Sequence, residues 1–510
     1  MKKPHYNLPL LCILATAAIP ATLHAETSKP QSSQKAIATS DAQPPQPLEP
    51  LPSADQLQWH EDDLTMFVHF GVNTFTGLGT GHGDENPNIF NPLKMDCNQW
   101  ARTAKQAGFK GMILTAKHHD GFCLWPTSTT AHSVKASSWR DGKGDVVRDL
   151  SDACKKEGLK LGIYCSPWDK SQKNYDTDQK AYTEFYRQQL TELLSNYGDV
   201  YEMWFDGNRA MIDDWGSIIK VVRKRQPHAI IKQGPRIKPI TEDARWVGNE
   251  LSLAPVTNWN VYPAPTEPTE QADGKRIWFP VECDPKTMRL WFWVDDAPTP
   301  LAEMLDNYYT SVGRGSILLF NVPPNKDGLY SDAWVARLLE FNTSLKSIFD
   351  KDLTMGATAT ASQVRGNAPK FAADKVIDSN TSTYWTVDDG VRSASLTLDM
   401  GKEIEFNVIR IEEMIALGQR VSKYKVEIWS DANQHWKEVS SHTTIGRRKL
   451  DRIQTQKTSK VRLTILDSRA CPTIRSFGLH LDSVSPPEHF EPAFANREVD
   501  PKNRHRKSKK

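Results

Sequence analysis

Asp206 closes the run Val200-Tyr201-Glu202-Met203-Trp204-Phe205, and Gly207 follows it. An apolar, aromatic-rich segment ending in a carboxylate suits a buried strand that delivers its last residue to a ligand-facing end. A carboxylate beside Trp204 and Phe205 is partly desolvated, so it needs hydrogen bonds, a cationic partner or a catalytic role to offset that cost. Taken alone, the segment reads equally well as an Asp-Gly turn after an ordinary strand. Other polar residues repeat the pattern: His69, His118-His119-Asp120, Tyr164 with Ser166, Glu250 and Asn321 each end an apolar run. If those runs lie side by side, carboxylates and imidazoles converge on one face, where they can carry acid, base or nucleophilic chemistry. Three histidines with Asp206 could instead make a zinc site with an open position. Against zinc, His118 and His119 would point opposite ways if both stayed on a strand.

The elements that would position these residues alternate in type. Eight strand-like runs, Met66 to Val72, Gly111 to His118, Lys160 to Ser166, Val200 to Gly207, Ala229 to Gly234, Arg245 to Glu250, Arg289 to Val294 and Ser316 to Pro323, are interleaved with helical stretches. The helices are expected at Asn98 to Gln106, Val146 to Glu157, Ala181 to Asn196, Asp213 to Arg225 and Leu301 to Val312. This alternation predicts a (β/α)8 barrel over residues 55–350, with one irregular connection because Pro235 to Ala244 is short and holds two prolines. From about Leu353 to Asp482 the helical period stops and short alternating runs predict an antiparallel β-sandwich, placed at 353–482.

The ends of the chain differ in character. Lys2 and Lys3, the apolar stretch Leu8 to Ile19 and Leu23-His24-Ala25 have the form of a secretory signal over residues 1–25, so the protein is expected to be exported, to the periplasm or beyond. Residues 26–54, rich in Pro, Gln and Ser, read as a flexible linker, and residues 485–510 as a basic tail. No later stretch is long and apolar enough for a membrane span. A net charge of +2 over 510 residues gives no broad positive field, which argues against nucleic acid. Beyond Cys12, six cysteines remain without zinc or CxxC spacing, and a chain of this length can build cores without disulfides.

Met66-Phe67-Val68-His69-Phe70-Gly71, Ala107-Gly108-Phe109-Lys110-Gly111, Thr115-Ala116-Lys117-His118-His119-Asp120-Gly121-Phe122, Gly144-Asp145-Val146-Val147 and Gly162-Ile163-Tyr164-Cys165-Ser166 follow in order along the barrel, and with the three motifs after them they resemble the glycoside hydrolase family 29 α-L-fucosidases. Trp204-Phe205-Asp206-Gly207, Arg245-Trp246-Val247-Gly248-Asn249-Glu250 and Gly313-Arg314-Gly315 running to Asn321-Val322-Pro323-Pro324 complete the set. The resemblance implies an exo-acting, retaining enzyme with fucosylated glycans as substrate and no cofactor for catalysis. It makes Asp206 the nucleophile and Glu250 the acid/base, with Glu282 and Asp243 as competitors for the second role. Glu250 must hold its proton before the first step, which burial near Trp246 and repulsion from Asp206 would favour. By the same resemblance His69, His118, His119 and Tyr164 line the fucose subsite, Trp204 stands beside the nucleophile, Trp291 is a further candidate, and Asp120 is structural. The Gly-Asn-Glu form resembles the branch that prefers α-1,3- and α-1,4-linked fucose. A non-catalytic glycan-binding protein could dispense with the carboxylate pair kept here.

The C-terminal stretches Phe371-Ala372-Ala373-Asp374-Lys375-Val376-Ile377-Asp378, Thr383-Tyr384-Trp385 and Leu417-Gly418-Gln419-Arg420-Val421 resemble a discoidin-type, family 32 carbohydrate-binding module. Such sandwiches often brace a catalytic barrel, and Trp385 is expected in the core. Their loops often hold a structural calcium, to which Asp378 could contribute, although one carboxylate does not make a six- to eight-oxygen site.

Overall fold

The computed structural model describes residues 42–206, 212–232, 240–269 and 274–485. The segment read as a signal, the basic tail beyond 485, Gly207 and Pro235 lie outside them. Among the described residues, ten strands and eight α-helices precede residue 350. The strands are β1 (Leu64–Val68), β2 (Gly111–Lys117), β3 (Lys160–Cys165), β4 (Val200–Trp204), β5 (Ile230–Lys232), β6 (Arg245–Trp246), β7 (Val261–Tyr262), β8 (Ile277–Trp278), β9 (Val281–Cys283) and β10 (Ile317–Asn321). The helices are α1 (Ala54–Glu61), α2 (Val72–Thr76), α3 (Cys97–Gln106), α4 (Val146–Glu157), α5 (Gln179–Asn196), α6 (Trp215–Arg225), α7 (Leu301–Thr310) and α8 (Asp332–Phe349).

Eight of the strands form one parallel sheet in the order β5-β4-β3-β2-β1-β10-β9-β6. A parallel bridge between Lys232 and Ala244, with Ala244 N–H donating to the Ile231 carbonyl at 3.2 Å, joins its two edges and closes the barrel. Every residue of β1 and β2 is buried, as strands covered on both faces require. The helices turn their apolar stripes to this wall. In α4 the Asp145 carboxylate caps the first turn through Arg148 N–H, Val146, Val147, Leu150 and Ala153 face inward, and Gly158 ends the helix in the left-handed region.

The structure corrects three sequence expectations here. The seventh barrel strand is Val281–Cys283, not Arg289 to Val294, which has no strand structure and packs above the barrel mouth. Trp291, Phe292 and Trp293 have high β-propensity, but aromatics serve equally to wall a pocket. Glu250 does not close the sixth strand, because β6 ends at Trp246 and Glu250 sits four residues beyond in a loop. From Gln43 the segment read as flexible linker is docked: Leu48 N–H donates to the Leu417 carbonyl at 3.0 Å and the Arg420 guanidinium to the Gln46 carbonyl at 2.7 Å. The helix α1 was also unread, since its inward side carries Gln56, Trp59 and His60 rather than an apolar stripe.

Strands β11 (Thr358–Ala361), β12 (Trp385–Thr386), β13 (Ala394–Glu413), β14 (Val421–Ser430), β15 (His435–His442), β16 (Lys449–Ser468) and β17 (Thr473–His480) make the antiparallel C-terminal sandwich. Two alternating runs of the sequence, Ser395 to Leu398 and Val408 to Glu412, merge into the single strand β13, which changes register between Asp399 and Ile404 and again between Phe406 and Val408. Trp385 is fully buried in the core beside Leu396, Phe406 and Tyr424. All six described cysteines are free and buried.

Charge fastens this sandwich to the barrel. Glu412 on β13 accepts from Arg448 Nε at 2.7 Å and from Arg475 at 2.7 Å, Arg448 and Arg447 reach Asp63, and Arg447 and Arg475 reach Glu61. The three guanidinium groups hold the Glu412 carboxyl far below the ordinary range despite its burial. Val408 and Leu450 of the sandwich belong to the apolar core of the barrel. Replacing Glu412 by Gln removes the most buried of the three carboxylates that these guanidinium groups share, so urea denaturation should show a loss of about 3 kcal/mol. A loss below about 0.5 kcal/mol would show that this network does not brace the fold.

Candidate active site

Asp206 lies two residues beyond β4 at the carboxyl end of the barrel, where α/β barrels place their chemistry. The Tyr164 hydroxyl, from β3, donates to Asp206 Oδ2 at 2.7 Å, and His119 Nε2 lies 3.2 Å from the same oxygen. Among the described residues both contacts fall on Oδ2. Burial alone would push this carboxyl up, but the hydrogen bond and charge of His119, the Tyr164 hydroxyl and the Lys232 ammonium outweigh it and bring the pKa down to about 2. About a third of the side chain (32%) stays open to the pocket. Asp206 is therefore a charged carboxylate with one oxygen pinned.

The predicted histidines gather around it. Because β2 ends at Lys117, the strand alternation has stopped before His118 and His119, and their rings sit side by side at 4.1 Å rather than on opposite faces. His119 Nδ1 bonds Ser166 Oγ at 2.7 Å. His118 stacks on Tyr164 at 5.7 Å, and His69 Nδ1 meets Asn321 Oδ1 at 2.8 Å. Burial pulls the pKa of His69 down to about 3 and that of His118 well below its usual value, so both rings are neutral near pH 7, where Asp206 is charged. Trp291 stacks on His69 at 4.8 Å and 27°, which places it in the wall of the pocket.

Trp204 lies under the pocket, 4% exposed, with its ring against Tyr164 at 5.1 Å. Its indole N–H donates to Glu282 Oε2 at 2.8 Å, and the Lys232 ammonium sits 3.1 Å from its ring centroid. Glu282 and Glu202 are both fully buried, and burial pushes both carboxyls up, with the Glu282 charge adding to the rise at Glu202. Lys232 was missed in the sequence, although a lysine ending the apolar run Ala229-Ile230-Ile231 was a readable signal.

Glu250 faces the solvent side of the site. Its side chain is 44% exposed, Oε2 pairs with Lys286 Nζ at 2.9 Å, and the Trp291 indole N–H lies 3.4 Å from Oε1. The burial expected for it near Trp246 does not occur. Of its competitors, Glu282 is sealed beneath Trp204, while Asp243 is held by Arg223 at 2.6 Å and by Ile231 N–H at 2.8 Å. Of the three, Glu250 alone combines exposure with contact to a pocket-wall residue.

Asp120 supports the loop rather than the reaction. Its carboxylate accepts from Asn73 Nδ2 at 2.7 Å and from Phe122 N–H at 2.7 Å. The following residue is Gly121 at φ +83°, and a Cβ there would come within 2.2 Å of Asp169 Oδ1, part of the buried Lys117–Asp169 pair. Burial raises the Asp120 pKa to about 7, against two backbone hydrogen bonds that lower it and the Glu85 charge that adds to the rise. A raised folded-state pKa means that the unfolded chain ionises first, so this group withdraws stability as pH climbs from about 4 to about 7, at about 1.4 kcal/mol per unit. Asparagine cannot ionise, and Asn73 Oδ1, buried without a partner, could accept its amide after a flip. Between pH 4.5 and 8 the stability of Asp120→Asn should therefore rise relative to wild type by about 3 kcal/mol, measured by urea denaturation. A pH-independent difference would refute the assignment.

Among the described residues, one grouping could offer three metal ligands: His118, His119 and Asp206, whose ligand atoms lie within 4.8 Å of one another. Both ring nitrogens of His119 are already engaged, one by Ser166 and one by Asp206 itself, so the set is arranged to hold a carboxylate. Asp378 belongs to no such grouping, and its carboxylate takes the Thr383 hydroxyl at 2.8 Å.

A charged aspartate at the open end of a (β/α)8 barrel, walled by neutral imidazoles, a phenol and an indole, defines the site of a glycoside hydrolase. Residues 84–348 match the family model described as Alpha-L-fucosidase, and residues 357–476 match that of the F5/8 type C domain. The chain is 39% identical over 463 residues to Alpha-L-fucosidase 1 of Arabidopsis thaliana, covering 86% of this chain and 89% of that one. It is similar in structure to the GH29 fucosidase of Ruminococcus gnavus solved in complex with fucose, with a TM-score of 0.80, 31% identity and coverage of 88% and 98% of the two chains. A second structure, SpGH29, superposes with a TM-score of 0.80 at 33% identity, over 86% of this chain and all (100%) of that one. The chain belongs to the α-L-fucosidase family, glycoside hydrolase family 29, whose chemistry uses no cofactor. Its C-terminal domain is of the F5/8 type C, discoidin-like kind.

Proposed function

We propose that this α-L-fucosidase is an exported, exo-acting enzyme that removes terminal fucose from α-1,3 and α-1,4 linkages by double displacement with retention. The observation that carries the reading is the Asp206 carboxylate, held ionised with Oδ2 pinned by Tyr164 and His119. Asp206 Oδ1 attacks the anomeric carbon, the glycosidic bond breaks, and the departing oxygen takes a proton from Glu250. Water then gives its proton to Glu250 and attacks the same carbon, releasing Asp206. Glu250 must carry a proton in the first step, so its pairing with Lys286 gives way as the glycan arrives. The His69 and His118 rings, neutral and close together, offer hydrogen bonds to the sugar hydroxyls, and Trp291 offers an apolar wall for the fucose methyl. The linkage preference rests on the Gly248-Asn249-Glu250 form, and export on the signal-like N-terminus.

A substrate panel tests the reading. Lewis-type trisaccharides should be cleaved far faster than 2'-fucosyllactose, and NMR should show α-L-fucose as the first-formed anomer, with turnover unchanged by EDTA. A β-anomer formed first would sink the retaining mechanism. Preference for 2'-fucosyllactose would sink the linkage reading, and EDTA-sensitive turnover restored by zinc would favour a metal-dependent hydrolase.

A further inference from the structure

Seven large apolar side chains are exposed among the described residues, and two of them, Trp246 at 41% and Leu251 at 42%, lie in the short stretch that carries Glu250. Trp246 is the one aromatic of the seven. Its direction follows from its neighbour. Arg245 reaches out of the barrel, where its guanidinium donates to the Phe279 carbonyl at 2.8 Å and the Trp259 carbonyl at 2.9 Å, so the next residue of β6 points to the other side, into the barrel mouth. There the Trp246 indole N–H donates to Asp284 Oδ1 at 2.6 Å. Asp284 is itself buried just beyond β9, 3% exposed, so the indole edge is fastened to an immobile group while part of the ring stays open. A singly exposed apolar side chain is ordinary, but an indole fixed by its N–H to a buried carboxylate at the barrel mouth presents a preset flat face to a ligand.

The fucose subsite is not what covers it. Its wall is made by His69, His118, Tyr164 and Trp291, and Glu250 closes that wall through Trp291. Trp246 makes no ring contact or hydrogen bond with any of these four; its indole meets Asp284, whose carboxyl feels the Glu250 charge. A proton donor to a departing glycosidic oxygen stands at the boundary between the sugar released and the sugar left behind. A group at the mouth beside Glu250 and clear of the fucose wall is placed to meet the leaving saccharide.

Resting on the fucosidase reading above, we propose that Trp246 is the platform on which the sugar next to fucose stacks its C–H face, making it a specificity-determining residue for the leaving glycan. The Asp284 hydrogen bond sets the plane of the ring before substrate arrives, so little is lost in ordering it. The occupant is a pyranose rather than a protein or lipid surface, because the exposed aromatic is a single ring beside a cleaving carboxylate and not part of a wide apolar patch.

The test compares two substrates in the full-length enzyme: the oligosaccharide that wild type cleaves best, and α-L-fucosyl fluoride, whose leaving group is too small to reach the platform. The readout is the ratio of their kcat/KM values. Trp246→Leu, which fills space without a flat face, should lower that ratio between about tenfold and a hundredfold, while Trp246→Tyr should keep most of it. A ratio unchanged in Trp246→Leu, whether both activities fall together or neither does, overturns the proposal. So does a ratio lost equally in Trp246→Leu and Trp246→Tyr. Failure of the fucosidase reading is distinguishable, because then wild type itself would turn over neither substrate.

Discussion

Replacing Asp206 by Gly should reduce turnover of every α-L-fucoside by on the order of 10⁴-fold or more, whatever the leaving group. The reason is that the attacking atom is gone, and no better leaving group can stand in for it. The structure adds a second consequence. The Tyr164 hydroxyl and His119 Nε2 both address Asp206 Oδ2, so the variant leaves two hydrogen-bonding groups facing an empty space the size of a small anion. Azide should enter there and attack the anomeric carbon from the face Asp206 used, releasing the leaving group and giving β-L-fucosyl azide, the inverted product. In the wild type, 2-deoxy-2-fluoro-fucosyl fluoride should label Asp206, and peptide mapping should find the adduct on it. An adduct on Glu250, Glu282 or Asp243 would overturn the assignment. With its pKa near 2, Asp206 stays ionised through any ordinary assay, so a fall in kcat/KM on acidification above about pH 4 should not come from this group.

Much of the site was legible because it sits on strand ends. An apolar run that stops at a polar residue marks both the strand and the point where it meets the pocket, and His69, Tyr164, Asp206 and Asn321 were all readable in this way. The structure brings them together as expected. The misreadings share another cause. Strands β6 and β9 are two and three residues long, too short to show any period, whereas Arg289 to Val294 is a longer strand-like run. Glu282 then looked like a free competitor when it is buried on β9 beneath Trp204. Lys286 and Asp284, which fix Glu250 and Trp246, stand in the loop after that short strand and have no periodic signal at all. In the sandwich, alternation located the strands, but the joining of two runs into β13 depends on a register shift that no local pattern encodes.

Replacing Glu250 by Ala should separate substrates that the Asp206 variant treats alike. A natural oligosaccharide leaves as an alkoxide unless it is protonated, so its cleavage should fall by about 10³-fold. A 4-nitrophenolate departs with little help, so formation of the fucosyl-enzyme from the aryl fucoside should fall far less. Its breakdown then becomes slow, because water has lost the base that activates it. The intermediate should accumulate, giving a burst of nitrophenolate followed by a slow steady state with a lowered KM. Azide needs no base, and it takes the place of the water on the face opposite Asp206, so it should restore steady-state turnover and yield α-L-fucosyl azide. The two variants therefore give azides of opposite configuration, which assigns the roles without reference to rate. Removal of the carboxylate frees Lys286, but that ammonium is 30% exposed and can turn to water, so the fold should tolerate the change. A Glu250→Ala enzyme that shows no burst, no azide rescue and equal losses on both substrates would move the acid/base role to another residue.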